Sequence, residues 1–176
     1  MNYKLASASA VAALTLAMGG QANAESADAQ LQDTNEAMVG SVTLTDNEES
    51  VTVSIGAQML PAGFHGFHIH AVGDCSASDF TSAGGHFNPS GDNHGDHAGD
   101  LPNLLVMADG TASMRFDTDR LAVDDLFDED GSAVIIHAAP DNYANIPERY
   151  QEPPPDDATL ATGDAGSRLA CGVIER

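Results

Sequence analysis

From Val39 to Thr45 the chain sets Val39, Ser41 and Thr43 against Val42 and Leu44, and Val51–Ile55 alternates apolar residues with Thr52 and Ser54. A period of two marks strands with one buried face, so these runs predict an antiparallel pair turning through Asp46–Ser50. Gly63–His70 is a third such segment. Leu104–Met107 and Thr111–Phe116 flank Ala108-Asp109-Gly110, whose Asp-Gly step is a strong hairpin signal. Ala133–His137 is a compact run of β-formers, Arg168–Ile174 ends the pattern, and the polar stretch 25–37 leaves room for a weak first strand. Neither a long amphipathic helix nor an internal repeat is evident. These patterns predict an all-β sandwich or barrel of short strands.

Two stretches, 71–102 and 138–167, lack strand character, and loops of such length inside a small domain are usually functional. Pro153-Pro-Pro155 stiffens the second into extended geometry. Asp128-Glu-Asp-Gly131 lacks the spaced ligands of an EF-hand and reads as a solvated turn.

The chain's 176 residues suit one domain. Its start is not part of that domain. A short positive segment ending at Lys4, an uncharged apolar run over 5–18 and Ala22-Asn23-Ala24 together read as a secretory signal, residues 1–24, cleaved before Glu25. The apolar run is too short for a membrane span, which needs about 20 residues. The domain is then 25–176, exported to the periplasm or the extracellular space, with no membrane association after cleavage. The formal charge is −21, which excludes a nucleic-acid footprint and an anionic membrane surface. Removing residues 1–24 takes away the one lysine, Lys4, and leaves five arginines against twenty-seven acidic residues, a charge of −22. Two cysteines, Cys75 and Cys171, fit a disulfide in an oxidising compartment, the alternative being two buried thiols.

Candidate chemistry lies in the seven histidines, five of which fall within residues 65–94. His68 and His70 stand two apart on one strand, so both rings project from the same face as a bidentate chelate. His65 has the other parity and is expected to be structural. The loop from His86 through His94 and His97 to Asp100 offers three imidazoles and a carboxylate, a donor set suited to tetrahedral zinc, and imidazoles without thiolate also suit Cu(II). A histidine at the head of that loop can serve two cations, one at each ring nitrogen.

Gly63-Phe-His-Gly-Phe-His-Ile-His70, Gly84-Gly-His-Phe-Asn-Pro89, His97-Ala-Gly-Asp100, His137 and Gly163-Asp-Ala-Gly-Ser-Arg-Leu-Ala-Cys-Gly172 resemble the copper/zinc superoxide dismutase family from about residue 38 to the C-terminus. The segment Asp141–Tyr150 is similar to bacterial, secreted members. The resemblance implies an eight-stranded Greek-key β-barrel or sandwich with two long functional loops. It implies dismutation of superoxide to oxygen and hydrogen peroxide at a copper–zinc pair. Copper would be held by His68, His70, His86 and His137, and zinc by His86, His94, His97 and Asp100. His86 would bridge the ions and carry a proton to the product. Arg168 would dock the anionic substrate, Asp141 would link His68 to His94, and Cys75–Cys171 would be the family disulfide. A homodimer is left open.

The chain departs from better-known eukaryotic relatives in one respect. They carry lysine seven residues before the docking arginine, where Ala161 stands here. Around it lie Glu148, Glu152, Asp156, Asp157 and Asp164 against Arg149 alone. This composition therefore offers no lysine to draw an anion in over long range by electrostatic steering. A high-salt habitat would screen the repulsion, since the Debye length falls to about 3 Å at 1 M. An acidic exported protein of ordinary conditions is the alternative. A non-enzymatic copper-binding or copper-delivery protein on the same fold is the rival function, but no additional cysteine motif supports it.

Overall fold

β1 (Ser26–Asp33) buries Ala27, Ala29 and Leu31 and exposes Ser26, Asp28 and Gln30. The stretch expected to hold only a weak strand is thus a full one, obscured in sequence because two of its three inward side chains are alanine. It belongs to a computed structural model that describes residues 25–147 and 152–176. The expected signal, residues 1–24, and Arg149 lie outside the described residues.

β2 (Met38–Asn47) and β3 (Ser50–Ala57) form the expected antiparallel pair, with Asn47 opposite Ser50. Val39 is buried although it shares sequence parity with the more open Ser41 and Thr43. The register explains this: Leu31 faces Gly40 while Gln32 faces Met38, so Val39 is an extra residue at a bulge that switches the inward face.

The single segment expected over 63–70 is two strands. β4 (Gly63–His65) pairs with β6 (Leu104–Val106), and β5 (Phe67–His70) pairs with β8 (Ala133–His137). The change of partner falls at Gly66, where a Cβ would stand 2.7 Å from that of Ala165 and 3.1 Å from His68 Cε1. Gly66 instead donates its amide to Ala139 and accepts from the His137 amide, each at 2.8 Å. The Asp-Gly turn forms, with Met107 N donating to Thr111 O at 2.7 Å. Its strands nevertheless join different ladders, because β7 (Ala112–Thr118) pairs with β3. The turn is therefore a corner between sheets and not the end of an isolated hairpin.

The main sheet runs β5-β8-β9-β1-β2-β3-β7, with β9 being Arg168–Glu175, and β4-β6 completes the set. Crossovers such as β3 to β7 give the Greek-key order of a curled antiparallel barrel. The expected eight strands appear as nine among the described residues because Gly66 divides one.

Phe67, Ile69, Val134 and Ile136 point into the barrel core with Leu31, Leu44 and Leu104. Their neighbours on β5, His68 and His70, therefore project from the barrel's outer face. They are buried all the same, because the long connection 71–103 and the described parts of the next one, 138–147 and 152–167, cover them. Ala133 and Ile135 pack outward against Phe80, Ala83 and the Cys75–Cys171 disulfide, which pins the first loop to β9. A closed loop of this size is worth about 4.7 kcal/mol in the chain-entropy account. The second loop carries a short helix, α1 (Asp157–Thr162), capped by the Asp156 carboxylate and ended by Gly163 in the left-handed region. Asp128 accepts from the amides of Asp130 and Gly131, the solvated turn expected there.

Candidate metal centre

Two groups of four ligand atoms, each within 4.8 Å of one another, lie under the loops: His68, His70, His86 and His137, and His86, His94, His97 and Asp100. His86 belongs to both. The first group is assembled from β5, the end of β8 and the first loop, which an isolated bridge between His70 and His86 holds against the barrel. A second bridge, His68 to Asp100, places the other end of that loop beside the same strand. All seven of these residues are buried.

One nitrogen of most of these rings is committed to the protein. His70 Nδ1 donates to Gly84 O at 2.9 Å, and His137 Nδ1 to Gly166 O at 3.1 Å. His68 Nε2 and His94 Nε2 donate to the two oxygens of Asp141, at 2.7 and 2.8 Å. The other nitrogens converge. His70 Nε2 and His137 Nε2 lie 3.4 Å apart, and His86 Nδ1 and His97 Nδ1 also lie 3.4 Å apart. Asp100 Oδ1 stands 2.8 Å from His86 Nδ1 and 3.3 Å from both His94 Nδ1 and His97 Nδ1.

His68 Nδ1 and His86 Nε2 are buried without a hydrogen-bond partner, and buried His94 Nδ1 has only the long, poorly aligned approach of Asp100 Oδ1 at 3.3 Å. An unmet buried polar atom costs about 1–3 kcal/mol, so such atoms gathered in one place call for a cation. The donors fit two. Four imidazoles suit copper, and three imidazoles with a carboxylate suit zinc.

Electrostatics divides the two sides. Burial, then repulsion from His68, lowers the His137 pKa to about 3. Burial likewise pushes His68 and His70 down. Burial would also lower His94, but hydrogen bonds and charge from Asp100 and Asp141 raise it to about 9. Burial opposes ionisation of Asp100 and Asp141, yet hydrogen bonds with His86 and His94 at the former, and His68 and His94 at the latter, hold both well below the usual carboxylate range.

Arg168, at the start of β9, donates Nη2 to Gly84 O at 2.5 Å and Nη1 to Phe80 O. It thereby sits beside the first group, fixed to the loop the disulfide anchors. His65 stays out of both groups: its ring lies against the carbonyls of His137 at 2.7 Å and Pro61 at 2.8 Å, a structural role.

Sequence reasoning missed three residues that support the centre. Asn103 brackets the Asp141 backbone, donating Nδ2 to its carbonyl at 2.9 Å and accepting its amide at 2.8 Å. The Tyr143 amide donates to Asp141 Oδ1 at 2.6 Å, while the Tyr143 hydroxyl accepts from the Asn103 amide at 2.7 Å. Arg120 reaches the backbone of the 94–100 turn. Their partners are distant or backbone atoms, which leave no local pattern; only the nearness of Asn103 to Asp100 and of Tyr143 to Asp141 in the chain could have pointed to the first two.

Fold and site together define a Greek-key β-barrel with a paired, histidine-rich metal centre beneath its loops. The profile described as copper/zinc superoxide dismutase matches residues 38–174, and the chain belongs to that family. Copper and zinc are accordingly its metals, and the two groups offer donors for each. A superoxide dismutase [Cu-Zn] of Mycolicibacterium paratuberculosis is 45% identical over 141 residues, covering 71% of this chain and 62% of that protein. The chain thus spans about three fifths of the length of such mycobacterial relatives. The superoxide dismutase [Cu-Zn] of Escherichia coli K12 is 35% identical, covering 94% of this chain and 96% of its own. Among solved structures, a SOD-like protein from Bacillus subtilis is similar with a TM-score of 0.67 and 34% identity, covering 83% of this chain and 96% of the other.

Proposed function

We propose that this protein dismutates superoxide to oxygen and hydrogen peroxide, with copper at His68, His70, His86 and His137 and zinc at His86, His94, His97 and Asp100. The observation that carries the reading is the meeting of two complete four-ligand groups at His86, with the Arg168 guanidinium fixed alongside. When bound, copper supplies a one-electron couple: one superoxide yields its electron, and a second takes it up with two protons to form hydrogen peroxide.

The protein's own groups do the rest. Arg168 binds and orients a small anion through a fixed, always-charged fork. His86 Nε2 is the site at which a proton can be held and passed to the product. Asp141 sets the tautomer and orientation of His68 and His94 by accepting from both rings. Copper storage or delivery is less well supported, because a carrier has no use for an anion-docking arginine and both cysteines are spent in the disulfide.

The protein is exported in this reading, cleaved after Ala24 and resident in the periplasm or outside the cell. The oxidised cysteine pair supports this, and no helix among the described residues is long and apolar enough to cross a membrane. Homodimer formation is part of the same proposal. Phe64 and Leu105 lie opposite each other on β4 and β6, and both are exposed, as is Met107. Sedimentation at several concentrations tests it.

The test of function is metal analysis of purified protein joined to a superoxide-consumption assay. One copper and one zinc per chain with rapid consumption is expected. His137→Ala should abolish turnover while zinc remains bound, and Asp100→Ala should weaken zinc first and leave partial activity. Full activity in His137→Ala would overturn the copper assignment.

A further inference from the structure

Arg120 follows β7 and is held in place by its neighbours: Leu121 is buried, and the Arg120 amide donates to Thr118 Oγ1 at 3.3 Å. Its Nη1 crosses to the first long loop and donates to two backbone carbonyls, Gly95 O at 2.9 Å and His97 O at 3.1 Å. The amides of the same two residues are taken from the opposite side. Gly95 N donates to Asp100 Oδ2 at 2.7 Å, and His97 N donates to the same oxygen at 3.1 Å. The other oxygen of Asp100 faces His86, His94 and His97. A third wall is the Tyr143 backbone. Gly95 has a φ of +92°, and a Cβ there would stand 2.7 Å from Tyr143 O.

We infer that Arg120 is a positioning residue for the zinc side of the centre. It acts as a strap that holds the 95–97 turn in its ligand-presenting shape. The inference rests on the reading of His86, His94, His97 and Asp100 as the zinc group. The turn is gripped by an anion from within and by a cation from without, and each grip uses the backbone of the same two residues. Without the outer grip, two carbonyls lose a charged donor. The Asp100 carboxylate would then have to fix the turn and serve as a ligand at once.

Two other roles for Arg120 give different expectations. As an ion-pair partner of Asp96 it would contribute little, because that pair is 4.0 Å apart and the Asp96 side chain is 81% exposed. As a mere charge near the site it would repel a bound cation, so its removal would tighten zinc binding. A strap predicts the reverse sign.

The test measures zinc affinity on the purified, metal-loaded protein by withdrawal into a competing chromophoric chelator, at fixed pH and ionic strength. Arg120→Gln is expected to bind zinc about ten- to a hundredfold more weakly, the usual cost of losing a group that orients a metal ligand. Copper retention should be unchanged. Arg120→Lys, which keeps a charged donor on a flexible stem, should recover part of the loss. Asp96→Asn and Arg115→Gln, the latter removing one exposed positive charge from β7, should behave as the unsubstituted protein. Zinc held as tightly or more tightly by Arg120→Gln would overturn the strap. So would an equal loss in Arg115→Gln, which would show that the effect does not depend on contact with the 95–97 turn. Failure of the unsubstituted protein to hold zinc in this group would instead overturn the underlying metal assignment. Arg120 is half-exposed and no part of the core, so these variants are expected to fold, and the melting curve of each checks it.

Discussion

Arg168 and His70 donate to one and the same oxygen, the carbonyl of Gly84, at 2.5 Å and 2.9 Å. A single backbone atom thus sets the Arg168 guanidinium, the proposed docking group, relative to an imidazole of the proposed copper group. The geometry needs no contact between the two side chains, and it leaves the remaining face of the guanidinium for an anion.

Arg168→Ala should therefore slow superoxide consumption without emptying the metal centre. A hydrogen bond to a charged group is worth about 1.5–3 kcal/mol, so the second-order rate should fall about ten- to a hundredfold. Pulse-generated superoxide with parallel metal analysis checks this. A matching loss of copper would mean that the arginine serves mainly to hold Gly84.

The two metal groups should differ in pH dependence. Without metal, His94, with its pKa near 9, carries a proton at neutral pH, whereas His137, near 3, does not. Zinc must displace that proton, so its affinity should rise with pH, by up to about tenfold per unit, until about pH 9. Copper affinity should show no such rise from His137. The raised His94 pKa stabilises the metal-free fold below the unfolded value of 6.5, and this contribution is lost as pH climbs through about 9. The depressed Asp100 and Asp141 act oppositely: their contribution is present above the ordinary 3.8 and is lost as pH falls below it. Calorimetric zinc titrations in two buffers of different ionisation enthalpy count the released proton; none released at pH 7 would remove the basis for the slope.

Gly163 closes the second loop behind the Asp141–His94 bond. Its φ is +59°, and a Cβ there would collide with Asp141 Oδ1 and His94 Nε2. Gly163→Ala should push the carboxylate away from the ring and cost about 1–3 kcal/mol through overpacking. Zinc content should fall with it. An unchanged melting temperature and full zinc occupancy would show that the loop simply moves aside.

Salt should accelerate the proposed dismutation from a low-salt start. The charge of −22 expected once residues 1–24 are removed would repel superoxide, and Asp156, Asp157 and Asp164 are exposed on the loop beside Arg168. Asp79 also acts on Arg168 through its charge. Screening removes the long-range repulsion while Arg168 still acts at contact. The rate against ionic strength in perchlorate, with stability followed in parallel, decides it. A steady fall would mean that the local positive field around the metals and Arg168 dominates, with or without help from Arg115 and Arg149.

Much of this arrangement is legible in the sequence where side chains report on themselves. Val51–Ile55 and Ala133–His137 show their period or composition, and the histidines declare a chelate by spacing. Legibility fails where the deciding partner is remote. Gly66 looks like one more residue in a continuous strand, because alternation says nothing about a change of neighbour. Val39 carries the wrong parity because a bulge is a property of two strands together. Arg120 gives no sign of its role, since its acceptors are carbonyls of residues 23 and 25 positions back in the chain.

Cys171 lies three residues along β9 from Arg168, and Cys75 stands at the head of the loop whose Phe80 and Gly84 carbonyls receive the guanidinium. The covalent link therefore ties donor and acceptors into one ring of chain. A nascent chain with reduced thiols has the arginine but no tethered cradle for it. In the proposed reading oxidation would act as a licence: the chain could take up its metals early, yet the geometry around Arg168 would be completed only where thiols are oxidised, which would keep competence and address in step.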